Sequence, residues 1–260
     1  MVKTIFLLLS LLAVGVTSSE IEKRLVSAHS CVETERLHHV QVLYEPISGD
    51  PPINCGGTLI HKQWVITASH CYGGLDGTLK VELGGHPKIS ASKKQQMTID
   101  NANIRHPLYE PIILLKLPKS TNIKAAMLPS TCVTPSAGQK LQLSGKGATS
   151  EEGPAAGDLM CMEVNALIKT ECPEASETGP NYKHIYCGKP DKEEMKVCKG
   201  DSGSGVLKKE QVKGMFNKKK IVDILYGVLI SGHGECEDKF VFADICSNSL
   251  KKWVDTVLKS

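Results

Sequence analysis

Lys199-Gly200-Asp201-Ser202-Gly203-Ser204-Gly205 sets a serine among glycines in what reads as a tight turn. Glycines let such a backbone aim its N–H groups at one point, which suits an oxyanion developing on a carbonyl. Alone the run is a modest signal, because Gly, Asp and Ser gather in ordinary turns. It gains force from two upstream segments, Cys55-Gly56-Gly57-Thr58-Leu59-Ile60 and Trp64-Val65-Ile66-Thr67-Ala68-Ser69-His70-Cys71. These read as a strand pair that ends in a histidine beside a cysteine able to close a short loop. A serine and a histidine base are the first two parts of nucleophilic acyl transfer.

Together these segments resemble the trypsin/chymotrypsin-like (S1) serine protease family, from about Leu25 to Trp253. The resemblance implies an all-β fold of two antiparallel six-stranded β-barrels followed by a C-terminal α-helix. It implies His70 as general base, Ser202 as nucleophile, and the N–H groups of Gly200 and Ser202 as oxyanion hole. The third member should be an aspartate heading the strand Ile112-Ile113-Leu114-Leu115-Lys116-Leu117. Counting back from that strand, the position holds Pro111, which offers no side-chain acceptor to orient an imidazole. Glu110 is the nearby acid, but adjacent residues of extended chain face opposite ways. It serves only if the loop slips by one.

The implied specificity pocket departs too. Lys196 stands six residues before Ser202, where trypsins carry an aspartate, and would repel Lys or Arg side chains. Phe240 stands where a glycine usually keeps the slot open, and Ile230-Ser231-Gly232 replaces a Ser-Trp-Gly wall. The reading favoured is a homologue with lost or weakened proteolysis that acts by binding. The alternative is an active endopeptidase using His70 and Ser202, with acidic side chains drawn to Lys196.

The whole chain fits a secreted protein. Lys3, an apolar run from Ile5 to Val16 and small Thr17, Ser18 and Ser19 read as a cleaved signal peptide over residues 1–19. The run is too short to span a bilayer comfortably, and no membrane span is expected. Residues 20–24 end in Lys23-Arg24 and read as an activation propeptide. By the resemblance, cleavage after Arg24 frees the Leu25 amine to pair with Asp201. The domain then covers residues 25–260, with a first barrel at about 25–117, a second at about 133–246 and a helix at about 249–258 capped by Ser249.

Ten cysteines in a secreted chain read as disulfides, and no C-x-x-C pair suggests zinc. Sequence leaves the connectivity open; the resemblance implies Cys31–Cys161, Cys55–Cys71, Cys132–Cys246, Cys172–Cys187 and Cys198–Cys236. A sixth family bridge would fall at Leu141 and about Ile221, both apolar. The loop after Leu83, with Gly85-His86-Pro87 and Gln95-Gln96, lacks the paired glutamates that bind calcium in trypsins, so no metal or cofactor is expected. A net charge of +3 gives no reason to expect nucleic acid. Lys208, Lys209, Lys213, Lys218, Lys219 and Lys220 form a basic run, a solvated hairpin loop or a polyanion site. The expected partner is a protein or peptide of unknown identity, and the expected state a monomer.

Overall fold

The computed structural model describes residues 28–87, 94–108, 110–172, 183–213, 218–231 and 236–260, with the backbone alone at Lys169. The signal peptide, the propeptide, Leu25 and Gly232 lie outside the described residues. The chain forms two curled antiparallel sheets and a C-terminal helix.

The first sheet contains β2 (His39–Pro46), β3 (Ile53–His61), β4 (Trp64–Ala68), β5 (Gly77–Leu83), β6 (Gln95–Ile99), β7 (Ile104–Arg105) and β8 (Ile112–Lys116). Its order is β6-β5-β2-β3-β4-β8-β7. In β5 the side chains of Leu79, Val81 and Leu83 are buried at every second position, the mark of a strand with one face on the core. β4 and β8 are covered on both faces, which is why Val65-Ile66 and Ile112 to Leu115 read as unbroken apolar runs.

The second sheet contains β1 (His29–Ser30), β9 (Lys140–Gly145), β10 (Met160–Ala166), β11 (Ile185–Pro190), β12 (Gly205–Lys213), β13 (Lys219–Leu229) and β14 (Phe240–Asp244). Its order is β1-β10-β11-β14-β13-β12-β9, and β9 also pairs with β10. Each sheet thus holds seven strands where six were expected; short β1 and β7 extend them. β1 pairs with β10, so the first described residues belong to the second sheet, although the sequence placed them in the first half. Arg36, 1% exposed, ties the halves together by donating to Asp223 on β13 (2.8 Å) and to Gln142 on β9.

Three further differences have simple causes. β1 and β7 are two residues each, too short to show any periodicity in the sequence. The helix α1 (Asn248–Val257) is capped by Ser247, whose Oγ accepts from the Leu250 amide, not by Ser249. The Ser247 amide closes a turn onto Asp244 (3.2 Å), which fixes the boundary two residues early. Finally, β9 meets β12 through Leu143–Val206 and Gln142–Leu207, so the partner of Leu141 lies toward Lys208. Ile221 is 64% exposed, far along the hairpin, and is not that position.

All five disulfides are formed in the pairing the resemblance implied, with no free cysteine among the described residues.

Candidate functional site

His70 sits on a single 3₁₀ turn, Ser69–Cys71, directly after β4. The Cys55–Cys71 bridge pins that turn to β3. The next residue on β3, Gly56, donates its N–H to the Ser202 carbonyl at 2.8 Å, and the Cys71 sulfur lies 3.8 Å from the same oxygen. One dipeptide of β3 therefore holds both the His70 turn and the Ser202 turn at one corner. Approach there is close: a Cβ on Gly56 would stand 2.0 Å from Ser204 Oγ, so only glycine fits. Gly203 is the other obligatory position. Its φ is +85°, and a Cβ would stand 2.2 Å from Thr67 Oγ1 and 2.3 Å from the Gly56 carbonyl.

The Ser202 hydroxyl is buried and donates to the Ser231 carbonyl at 2.6 Å. Ser231 is itself anchored, since its Oγ accepts from the Val241 amide at 3.1 Å. Ile230 beside it is buried and bonds through its N–H to the Val241 carbonyl. Phe240 is 0% exposed and packs edge-on to Phe242 at 5.5 Å, in one cluster with Met195 and Val197. Its ring lies wholly in the interior, and the next residue, Val241, is the one that bonds Ser231. Gly200 takes φ +99°, with Gly147 Cα only 3.2 Å from where a Cβ would be.

Pro111 is buried at the head of β8, with its carbonyl accepting the Ser69 N–H at 2.8 Å. The β4–β8 register runs unbroken from Ala68–Ile112 to Trp64–Lys116. Glu110 turns elsewhere: its Oε1 lies 2.5 Å from His184 Nδ1, just before β11, and Oε2 is buried with no hydrogen-bond partner. Ser249 on α1 completes this group, 3.3 and 3.2 Å from the two His184 nitrogens. Reaching both nitrogens alike places the hydroxyl against the ring, not along one lone pair, so the trio lacks the alignment of a nucleophile–base pair. Sequence reading gave His184 no role and took Ser249 for a helix cap, because neither stands in a motif.

Asp201 receives the Gly147 N–H on Oδ1 (2.7 Å) and the Cys198 N–H on Oδ2 (3.0 Å). Burial pushes its carboxyl up to about 6, against the downward pull of those two N–H groups. It opens on a cavity of about 1250 Å³ that is also lined by Ala28, Met160, Glu194 and Lys196. Lys196 is exposed here. The sequence set it at the floor of the substrate slot; it lines the Asp201 cavity, which neither His70 nor Ser202 lines. The cluster Cys55, His70 and Cys71 has metal-like spacing, but the two sulfurs are bonded to each other and are not thiolates.

The comparisons agree with this frame. Residues 25–254 match the family described as Trypsin. The chain belongs to the trypsin family. A Trypsin from Xenopus laevis is 34% identical over 175 residues, 63% of this chain and 69% of that protein. Trypsin-10 from Gadus morhua is 27% identical over 265 residues, 97% and 98% of the two chains. Among solved structures, human heparin binding protein superposes with a TM-score of 0.68 at 19% identity, covering 90% of this chain and 96% of that one. Neuropsin from mouse brain gives 0.66 at 23% identity, covering 89% and 99%. At such identities these two speak for the trypsin fold alone.

Proposed function

We propose that this trypsin-family chain is a secreted protease homologue whose proteolysis is lost or strongly weakened, and that it works by binding. The observation that carries the reading is the pair Glu110-Pro111. Proline supplies only a carbonyl at the relay position, already engaged by Ser69, and the neighbouring carboxylate is held by His184. In this family neutralising the relay aspartate lowers turnover by roughly 10⁴-fold, a value from the well-studied example of the mechanism. Two further observations support the reading: the Ser202 proton is directed at the Ser231 carbonyl, and Phe240, at the position where the family usually has a glycine, is wholly buried.

The same reading keeps a zymogen step. Cleavage after Arg24 frees the Leu25 amine, and Ala28, three residues on, already lines the cavity that ends at Asp201. Three residues span about 10 Å. A buried carboxylate held above its ordinary range favours a cationic partner. The reading also takes the sheets as six-stranded barrels; pairing of β9 with both β10 and β12 supports this for the second.

The test is chemical. A fluorophosphonate reacts with a serine only when a base draws off its proton. The chain cleaved after Arg24 is expected to label at Ser202 at least a hundredfold more slowly than an ordinary trypsin. Labelling at the trypsin rate, lost in Ser202→Ala, would overturn the proposal.

A further inference from the structure

β12 and β13 begin inside the second sheet and leave it. β12 touches β9 only at Val206 and Leu207, and β13 touches β14 only from Gly227 to Leu229. Beyond these contacts the two strands pair with each other out to Lys213–Lys219. The result is a two-stranded ribbon, steadied near its base by a bridge from Met127 to Ile224 and by the Arg36–Asp223 and Lys209–Glu35 pairs.

Charge is distributed unevenly along it. At the base the lysines are neutralised: Lys208 pairs with Glu210 (3.1 Å) and lies over the Tyr226 ring, and Lys209 pairs with Glu35 (3.2 Å). Farther out no acid pairs with Lys213, Lys218, Lys219 or Lys220 among the described residues, and all four are exposed. Lys213 stands directly across from Lys219. Like charges opposite one another in an antiparallel pair destabilise it. The end of the ribbon therefore carries a repulsion that an added anion would relieve. Among the described residues four cations accompany one exposed aliphatic side chain there, Ile221, so charge dominates that part of the surface.

We infer that the outer ribbon, Lys213 with Lys218 to Lys220, is a binding surface for a linear sulfated polysaccharide. The lysines lie on both faces of a narrow ribbon, since Lys213 and Lys219 share one face and Lys220 takes the other. A flexible chain of closely spaced anions can follow both faces; a planar surface meets one. The site lies at the far end of strands whose other end, at Gly205 and Leu229, meets the Ser202 turn, and it includes none of the residues of that corner, so it stands or falls separately from the loss of proteolysis. Its plain rival is edge protection, in which lysines blunt an unpaired strand against self-association.

The experiment uses the secreted protein, a heparin oligosaccharide as probe, and two triple variants that remove equal charge. Lys213→Gln/Lys219→Gln/Lys220→Gln is expected to weaken binding at least tenfold and to flatten its dependence on salt, because fewer counterions are released. Lys119→Gln/Lys189→Gln/Lys252→Gln, on exposed lysines elsewhere, is expected to change it less than threefold. Lys→Arg at the three ribbon positions keeps the charge and is expected to keep binding, which guards against misfolding of the glutamine variant. Equal losses in both glutamine triples, or self-association of the ribbon variant without loss of binding, would overturn the site. So would ribbon-dependent binding to phosphatidylserine vesicles with none to the oligosaccharide.

Discussion

The Ser202 turn and the Glu110-Pro111 segment descend from the same catalytic layout, and they differ in what has been kept. At the turn the backbone is tightly held: Gly203 fits where no side chain can, and Gly56 binds the Ser202 carbonyl. At the relay segment the backbone is kept as well, with Pro111 bonding Ser69 at the head of an unbroken ladder. On the proposed reading only the side-chain chemistry is gone. A close-packed junction of two sheets tolerates no change in the turn glycines, because their loss opens steric conflict in the core. A carboxylate that serves catalysis alone can be exchanged without cost to folding. The contrast therefore separates what the fold demands from what turnover demands.

The strongest way to break that contrast is at the turn. Gly203→Ala is expected to cost more than about 4 kcal/mol or to prevent secretion, since the new methyl meets Thr67 and the Gly56 carbonyl at positive φ. Gly49→Ala has nearly the same φ, +84°, but nothing within 4 Å, and is expected to cost about 1–2 kcal/mol. Equal costs in urea denaturation would show that the turn is not sterically locked.

A smaller effect comes from acid. Burial lowers His38 to about 4 and His39 to about 3, so both stay neutral in the fold while the unfolded chain protonates them near the usual 6.5. The unfolded state then binds more protons, and stability is lost as pH falls below about 6.5 toward those values. Asp201 acts the other way: raised to about 6, it gives stability that is present in acid and lost as pH rises from about 4 to 6. The two histidines outweigh the single acid, so net stability falls in acid. In urea melts at pH 4.5 and 6.5, His39→Asn is expected to reduce this loss by about 1–3 kcal/mol, and Asp201→Asn to enlarge it. A wild-type protein as stable at pH 4.5 as at 6.5 would refute the assignment.

The smallest effect is at Glu110. Glu110→Gln keeps a hydrogen-bonding oxygen near His184 and is expected to cost no more than about 1–2 kcal/mol. Ester hydrolysis by the cleaved protein should not change. A collapse of turnover in this variant would mean that Glu110 serves His70 after all.

Much of this architecture was legible in the chain. The Trp64-Val65-Ile66-Thr67 run, the alternation in Leu79 to Leu83 and the Gly-rich turn around Ser202 each carry a local signal that sets strand or turn. Short strands such as His29–Ser30 and Ile104–Arg105 carry none; they exist because a neighbouring sheet edge accepts them. The place of Pro111 at the head of β8 was legible too, because the apolar strand after it fixes the count. Where Glu110 points was not, since His184 is 74 residues away and joins it only in the folded chain. The exposed place of Lys196 beside Asp201 likewise depends on the path of the Cys198–Cys236 loop, which spacing alone does not give.

On the proposed reading turnover is missing for want of one side chain, and a single comparison tests it. The protein cleaved after Arg24, its Pro111→Asp variant and Ser202→Ala are assayed on a small activated ester that needs no deep pocket. The wild type is expected to stay close to Ser202→Ala, at least a thousandfold below the kcat/KM of about 10⁴ M⁻¹s⁻¹ at the low end for enzymes. Pro111→Asp is expected to raise ester turnover by a hundredfold or more, in a Ser202-dependent way. A wild-type value at or above about 10⁴ M⁻¹s⁻¹ that vanishes in Ser202→Ala would contradict the account.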